Sequence, residues 1–235
     1  MTYDVHQVLA QESAAFARAA QRGLGAPVPS CPDWDVLALV QHLGVVQRSH
    51  ASHVTRGVTD PPTGERPVAP KDDVLAWFEQ GTQVLLNALQ ELPPEAPAWN
   101  WASQTPQVVG FWPRRMALEA AVHRWDAENA HGPAAGFDVP VAVDGIDEVL
   151  GVFRPARLRH RAGTASGIVR IVLTDSEASW TLELTPGDLT PGHQPPDAVL
   201  TGSSSEVLLA LWGRTPMTTL SVAGEQALVT ALPVG

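Results

Sequence analysis

The sequence predicts a two-domain α+β protein: a helical bundle over residues 1–137, then a smaller α+β domain over 138–235. Two observations carry this. Four stretches before Phe137 repeat their apolar residues at helical spacing, whereas the segments after Gly167 alternate apolar and polar residues with period two. The chain has 235 residues, 44% of them hydrophobic and 17% charged, which is globular composition with enough length for two modest cores.

The first helix is predicted from Asp4 to about Arg22, with Val5, Val8, Leu9 and Phe16 on one face and Gly23 and Gly25 ending it. Asp33 is the predicted N-cap of a second helix running to about Arg56. Its stripe is Val36, Leu39, Val40, Leu43 and Val46, and His42 falls within the same angular range. Thr59 to Pro70 is rich in Pro and Gly and reads as loop. A third helix is expected from Lys71 to about Glu91, with Val74, Leu75, Phe78, Val84, Leu85 and Leu89 inward. The segment LPPEAPAWNWASQTPQ is a long connection rich in Pro and Trp, and loops of this length are often functional. Pro113 opens the fourth helix and Gly132-Pro133 closes it. Four such helices suggest an antiparallel bundle.

Beyond Phe137, residues 141–154 read as one more helix. Ile168–Thr174 and Ser179–Thr185 read as strands joined by a turn at Asp175–Ala178. Ala198–Thr201 and Leu220–Val222 are short strand candidates. Ser203 and Glu206 have capping-box spacing before a helix ending at Leu211, and a last helix is expected over Glu225–Leu232.

Charge and cysteine content exclude several functions. The net charge of -10 repels nucleic acid and anionic membranes, so neither is an expected partner. Cys31 is the single cysteine, so the chain can form neither an intrachain disulfide nor a thiolate cluster. The N-terminus lacks a signal-peptide pattern and no apolar run is long enough to span a membrane, so a cytoplasmic protein is expected.

The chemistry-bearing residues centre on MALEAAVHRWDAENAHG, Met116–Gly132. Glu119 and His123 stand four apart, one above the other on a helix. Two imidazoles and a carboxylate on inward faces of a bundle suit a divalent metal, and His42 supplies the third ligand. On spacing alone the plainer alternative stands beside it: a solvated Glu-His pair and an unrelated helix histidine. Asp126 reads equally as an acceptor for the second ring nitrogen of His123 or as a surface acid paired with Arg124 or Arg115. Trp99, Trp101 and Trp112 are candidates for a pocket lining, with ordinary core as the alternative. His50 and His53 read as surface or rim residues, and Cys31 as a packed or partly exposed thiol.

Taken together, CPDWDVLALVQHLG and ALEAAVHRWDAENAHG resemble the DinB-like superfamily and, more closely, the mycothiol-dependent maleylpyruvate isomerase family. Trp34, His42 and Leu43 match its Trp and His-Leu pair. Glu119, His123, Arg124, Asp126, Ala130 and Gly132 match its Glu-x-x-x-His-Arg-x-Asp run. Trp212-Gly213-Arg214, Leu220 and Val222-Ala223-Gly224 resemble the small sterol-carrier-like domain that follows the bundle in that family.

The resemblance implies a divalent metal, usually zinc, on His42, Glu119 and His123, with an open position for the sulfur of mycothiol. The implied reaction is addition of the activated thiolate to an electrophilic small molecule, in cis-trans isomerisation or S-transfer. The family places an arginine of the second domain near the cleft. Arg214 matches it; Arg154, Arg157, Arg159 and Arg161 compete, but that run reads rather as a solvated face or an interdomain salt-bridge set. Two His and a carboxylate also accept nickel, iron or cobalt. A non-catalytic binding module, or a degenerate member with a structural metal, remains the alternative, as monomer or homodimer.

Overall fold

The structure, a computed structural model, describes residues 3–158, 164–185, 188–192 and 194–234. Arg159, His160, Arg161 and His193 lie outside the described residues. Two compact units divide the chain, Met1–Ala135 and Gly136–Gly235. Among the described residues no helix is long and apolar enough to cross a membrane.

The first unit is built from α1 (Val5–Ala20), α2 (Val36–Thr55), α3 (Val74–Glu91) and α4 (Trp112–Asn129). Helix α1 packs chiefly along α4 and α2 along α3, and the two pairs meet where α1 crosses α3 and α2 crosses α4. One core cluster gathers Phe16, Val36, Leu39, Val40, Leu43 and Phe78; the other gathers Leu9, Val54, Leu85, Trp112 and Met116. Phe16 and Phe78 join α1 to α3 with ring centroids 4.9 Å apart, a tilted contact that adds to the burial of both rings.

Helix starts follow local capping chemistry. Asp4 accepts from the backbone N–H groups of His6 and Gln7. The second cap differs from the sequence expectation: Asp35, not Asp33, accepts from Ala38 N–H at 2.8 Å. The preceding residues are used in a tight turn, with Trp34 N–H bonded to Cys31 O and Val36 N–H to Ala26 O. Asp33 lies in that turn at φ +70°, a backbone region that excludes it from the capping position. Helix α3 likewise starts at Val74 rather than Lys71, because Asp73 at φ +53° interrupts the helical backbone. Val84 is half-exposed rather than inward, since Leu85 and Leu86, one and two residues on, occupy the core-facing arc.

The second unit begins with α5 (Val139–Glu148), which continues through a π-helical turn at Val149–Phe153 into α6 (Arg154–Leu158). Five strands follow: β1 (Gly167–Leu173), β2 (Ser179–Thr185), β3 (Asp188–Pro191), β4 (Ala198–Gly202) and β5 (Ser221–Gly224). Helices α7 (Ser204–Leu211) and α8 (Gln226–Thr230) complete the unit. The sheet order is β3-β2-β1-β4-β5, with β1 and β4 parallel and every other neighbouring pair antiparallel. In β2, Leu182 and Leu184 are buried while Glu183 and Thr185 are exposed, as period two requires. Ser203 and Glu206 form the expected capping box on α7, and Asp175 adds bonds to the Ser204 N–H and hydroxyl at 2.9 Å each. Strand β3 had no period-two signal in the sequence, being four residues that end in Pro191.

Arg154 and Arg157, weighed as substrate cations, instead donate to the carbonyls of Pro233 and Val234 and tie down the C-terminal segment.

Candidate metal centre

Helix α4 carries an unusual load of buried polar groups. Arg115, His123, Arg124 and Asp126 are all buried, and charged groups removed from water are strongly unfavourable unless paired. The pairing is specific. Arg124 Nε donates to Glu12 at 2.8 Å, and its Nη1 donates to Glu128 at 2.9 Å and to Ala135 O at 2.7 Å. Arg115 donates to Glu119 Oε2. Asp126 is fully buried and accepts the Ser30 hydroxyl at 2.6 Å on one oxygen; its other oxygen stands 3.0 Å from His123 Nδ1.

The residues singled out on α2 and α4 converge. His42 Nε2 lies 3.7 Å, and His123 Nε2 3.3 Å, from the same atom, Glu119 Oε1. One ligand atom from each of His42, Glu119 and His123 falls within 4.8 Å of the others. The two imidazoles meet edge to face with centroids 5.2 Å apart, and Trp34 backs His42 at 5.0 Å. Gly44 lets α2 lie close to α3: a Cβ there would stand 2.3 Å from the Trp77 ring.

Each contact restricts the chemistry of the next. A carboxylate only accepts, so His123 Nδ1 carries a proton towards Asp126, leaving Nε2 as the nitrogen facing Glu119. Burial works against charge on Glu119. Arg115, together with bonds from His123 and His42, overcomes it and holds the carboxyl well below its usual range. Burial also opposes charge on His123, yet the bonds to Asp126 and Glu119 raise its pKa to about 9. The metal-free site at neutral pH is therefore an imidazolium between two carboxylates.

The donor set fits a divalent transition metal. Tetrahedral bonds of about 2.0–2.1 Å place ligand atoms about 3.3 Å apart, close to the 3.3 and 3.7 Å between the nitrogens and Glu119 Oε1. Glu119 Oε2 is occupied by Arg115, which leaves Oε1 for a single bond. The His42 side chain is 37% exposed against 9% for His123, so one side of the group is open.

The other sequence candidates occupy different surroundings. Trp99 and Trp101 line a cavity of about 660 Å3 beside α2, together with His50 and His53. Trp112 is fully buried behind that wall; its indole N–H donates to Trp99 O at 3.1 Å, and its ring stacks 4.1 Å from His50. His50 and His53 are not rim residues: His53 is buried, and His50 Nδ1 lies 3.0 Å from Met116 Sδ. Cys31 is a partly buried thiol, its sulfur 4.0 Å from Asp126. Arg214 belongs to the second unit, where it donates to Trp212 O at 3.0 Å. Ser30 was not anticipated, since its loop carries only proline signals. Arg115 stands four residues before Glu119, a spacing that marks a helical ion pair.

Comparison with known proteins agrees with this architecture. Residues 6–128 match the mycothiol maleylpyruvate isomerase N-terminal domain and residues 140–231 match the MDMPI C-terminal domain. No curated protein matches significantly. The chain is similar to the crystal structure of a mutant of the mycothiol-dependent maleylpyruvate isomerase, with a TM-score of 0.68 and 14% identity, over 94% of this chain and 92% of that one.

Proposed function

The chain belongs to the mycothiol maleylpyruvate isomerase family, and from that premise we propose that it is a metal-dependent enzyme that adds a low-molecular-weight thiol, mycothiol, to an electrophilic small molecule. His42 Nε2, Glu119 Oε1 and His123 Nε2 would hold the ion, zinc by preference for this donor set. The observation that carries the reading is the convergence of these three ligand atoms within 4.8 Å, with His123 already aligned by Asp126. A divalent cation at an open site lowers the pKa of a thiol that shares it, so that thiolate is available at neutral pH.

The surrounding residues prepare that site. Asp126, fixed by Ser30, holds the His123 ring in the tautomer that turns Nε2 towards Glu119. Arg115 keeps Glu119 ionised and limits it to one free oxygen. Arg214, by its match to the family pattern, is the candidate partner for a carboxylate on the electrophile, since a guanidinium gives bidentate contacts. Cis-trans isomerisation and S-transfer share the same opening step: a sulfur–carbon bond forms while the π pair moves towards an adjacent carbonyl.

The test is metal content and thiol consumption of one preparation. The expected result is a stoichiometric divalent ion, lost in His42→Ala and Glu119→Gln, with mycothiol consumed or an unsaturated oxo acid isomerised only by the loaded native protein. A preparation that takes up no ion, or in which those variants bind it as tightly, overturns the reading. Tight metal uptake without reaction towards any thiol would favour a binding module instead.

A further inference from the structure

Beyond the metal trio, the second half of α2 faces a cavity that the reaction above does not use. It has a volume of about 660 Å3, within the range of small-molecule sites. None of His42, Glu119 and His123 lines it. Aromatic side chains and two guanidiniums are gathered in its lining. We propose that this cavity is a binding site for an aromatic carboxylate.

The lining selects that chemistry in two ways. The walls are flat and unsaturated: Trp99 meets the His53 ring edge to face at 5.0 Å, and Trp101 and His50 share the lining. A planar ring stacks on such surfaces better than a saturated one. Charge at the mouth comes from Arg56 and Arg66 against one carboxylate, Glu65, leaving an excess of one positive charge. That balance suits a monoanion, and in a chain of net charge -10 an anion needs such a local cation pair.

Two hydrogen bonds to backbone carbonyls keep the site preformed. Trp99 N–H donates to Val58 O at 3.0 Å, tying the Trp-rich loop to the segment after α2, and Arg56 Nη1 donates to Asp60 O at 3.2 Å within that segment. The inference rests on other residues than the trio, although the field of Glu119 reaches the His50 ring in the lining.

The experiment is calorimetric titration of the metal-free full chain with benzoate, cyclohexanecarboxylate and fumarate. Cyclohexanecarboxylate and fumarate should bind at least tenfold more weakly than benzoate. Arg66→Gln, on an exposed loop, and Arg56→Gln should each weaken benzoate about tenfold. No heat from benzoate at millimolar concentration, equal binding of cyclohexanecarboxylate or fumarate, or native affinity in both arginine variants would each overturn the proposal. Divalent-ion uptake, measured separately on the same samples, tells failure here from failure of the trio.

Discussion

Asp126 shows how a single buried side chain acts through its neighbour. It contributes nothing to the open face, yet it determines which nitrogen of His123 points inward. Asp126→Ala should lower divalent-ion affinity by about 10–100-fold, the usual cost of losing such an orienting group, read by competition with a chelating dye. Metal uptake must also displace the proton of His123. With that pKa raised to about 9, the metal-free imidazolium is the dominant form at neutral pH. Apparent affinity should therefore rise about tenfold per pH unit up to about 9, with release of one proton. Buffers of different ionisation heat would report that proton in calorimetry.

His50 titrates in the opposite sense. Burial first, then the field of His53, lowers its pKa to about 3, below the value of about 6.5 in the unfolded chain. Between those limits the unfolded state binds the extra proton, so stability is complete above pH 6.5 and declines as the pH falls towards 3. His50→Gln should flatten the acid limb of a stability-versus-pH curve by one proton.

At the level of helices and strands, close approach and capping decide most of the energetics. Gly44→Ala adds a Cβ 2.3 Å from the Trp77 ring, over which the Arg48 guanidinium lies at 4.5 Å. The intrinsic helix gain of about 1 kcal/mol should be outweighed by overpacking of about 1–3 kcal/mol. Urea unfolding would show the net loss. Long elements with strong periodicity were legible before any coordinates: α1, α2, α4 and the β1–β2 hairpin lie within a few residues of their sequence boundaries. The capping box at Ser203 was legible too, because its two partners are three residues apart. What escaped were features settled by neighbours distant in sequence. Asp33 and Asp35 are equally good caps by residue type, and only the Ala26–Val36 and Cys31–Trp34 bonds choose between them. The burial of His53 depends on Trp99 and Trp112, which sit 46 and 59 positions further along the chain. The placing of Ser30 against Asp126 likewise spans 96 residues.

For the whole molecule, the division at Ala135 separates two proposed roles that one assay can distinguish. The metal trio lies entirely within the first unit, whereas Arg214 lies in the second. Arg214→Gln should leave divalent-ion affinity within about twofold of native, since Arg214 is not one of the three candidate ligands. Turnover of a carboxylate-bearing electrophile should fall in the same variant. Chelator competition and a thiol-consumption assay on one sample would separate the two quantities.

The sheet of the second unit has a kinetic consequence. Strands β1, β2 and β3 follow one another as antiparallel neighbours, and β4 and β5 form a second antiparallel pair. These two groups are united only where β1 lies alongside β4, with Val169 opposite Ala198. That seam closes a chain loop far longer than any hairpin, and long closures are slow to form. Refolding followed by pulsed deuterium labelling should find amides of the β1–β2 hairpin shielded early and those shared by β1 and β4 shielded last.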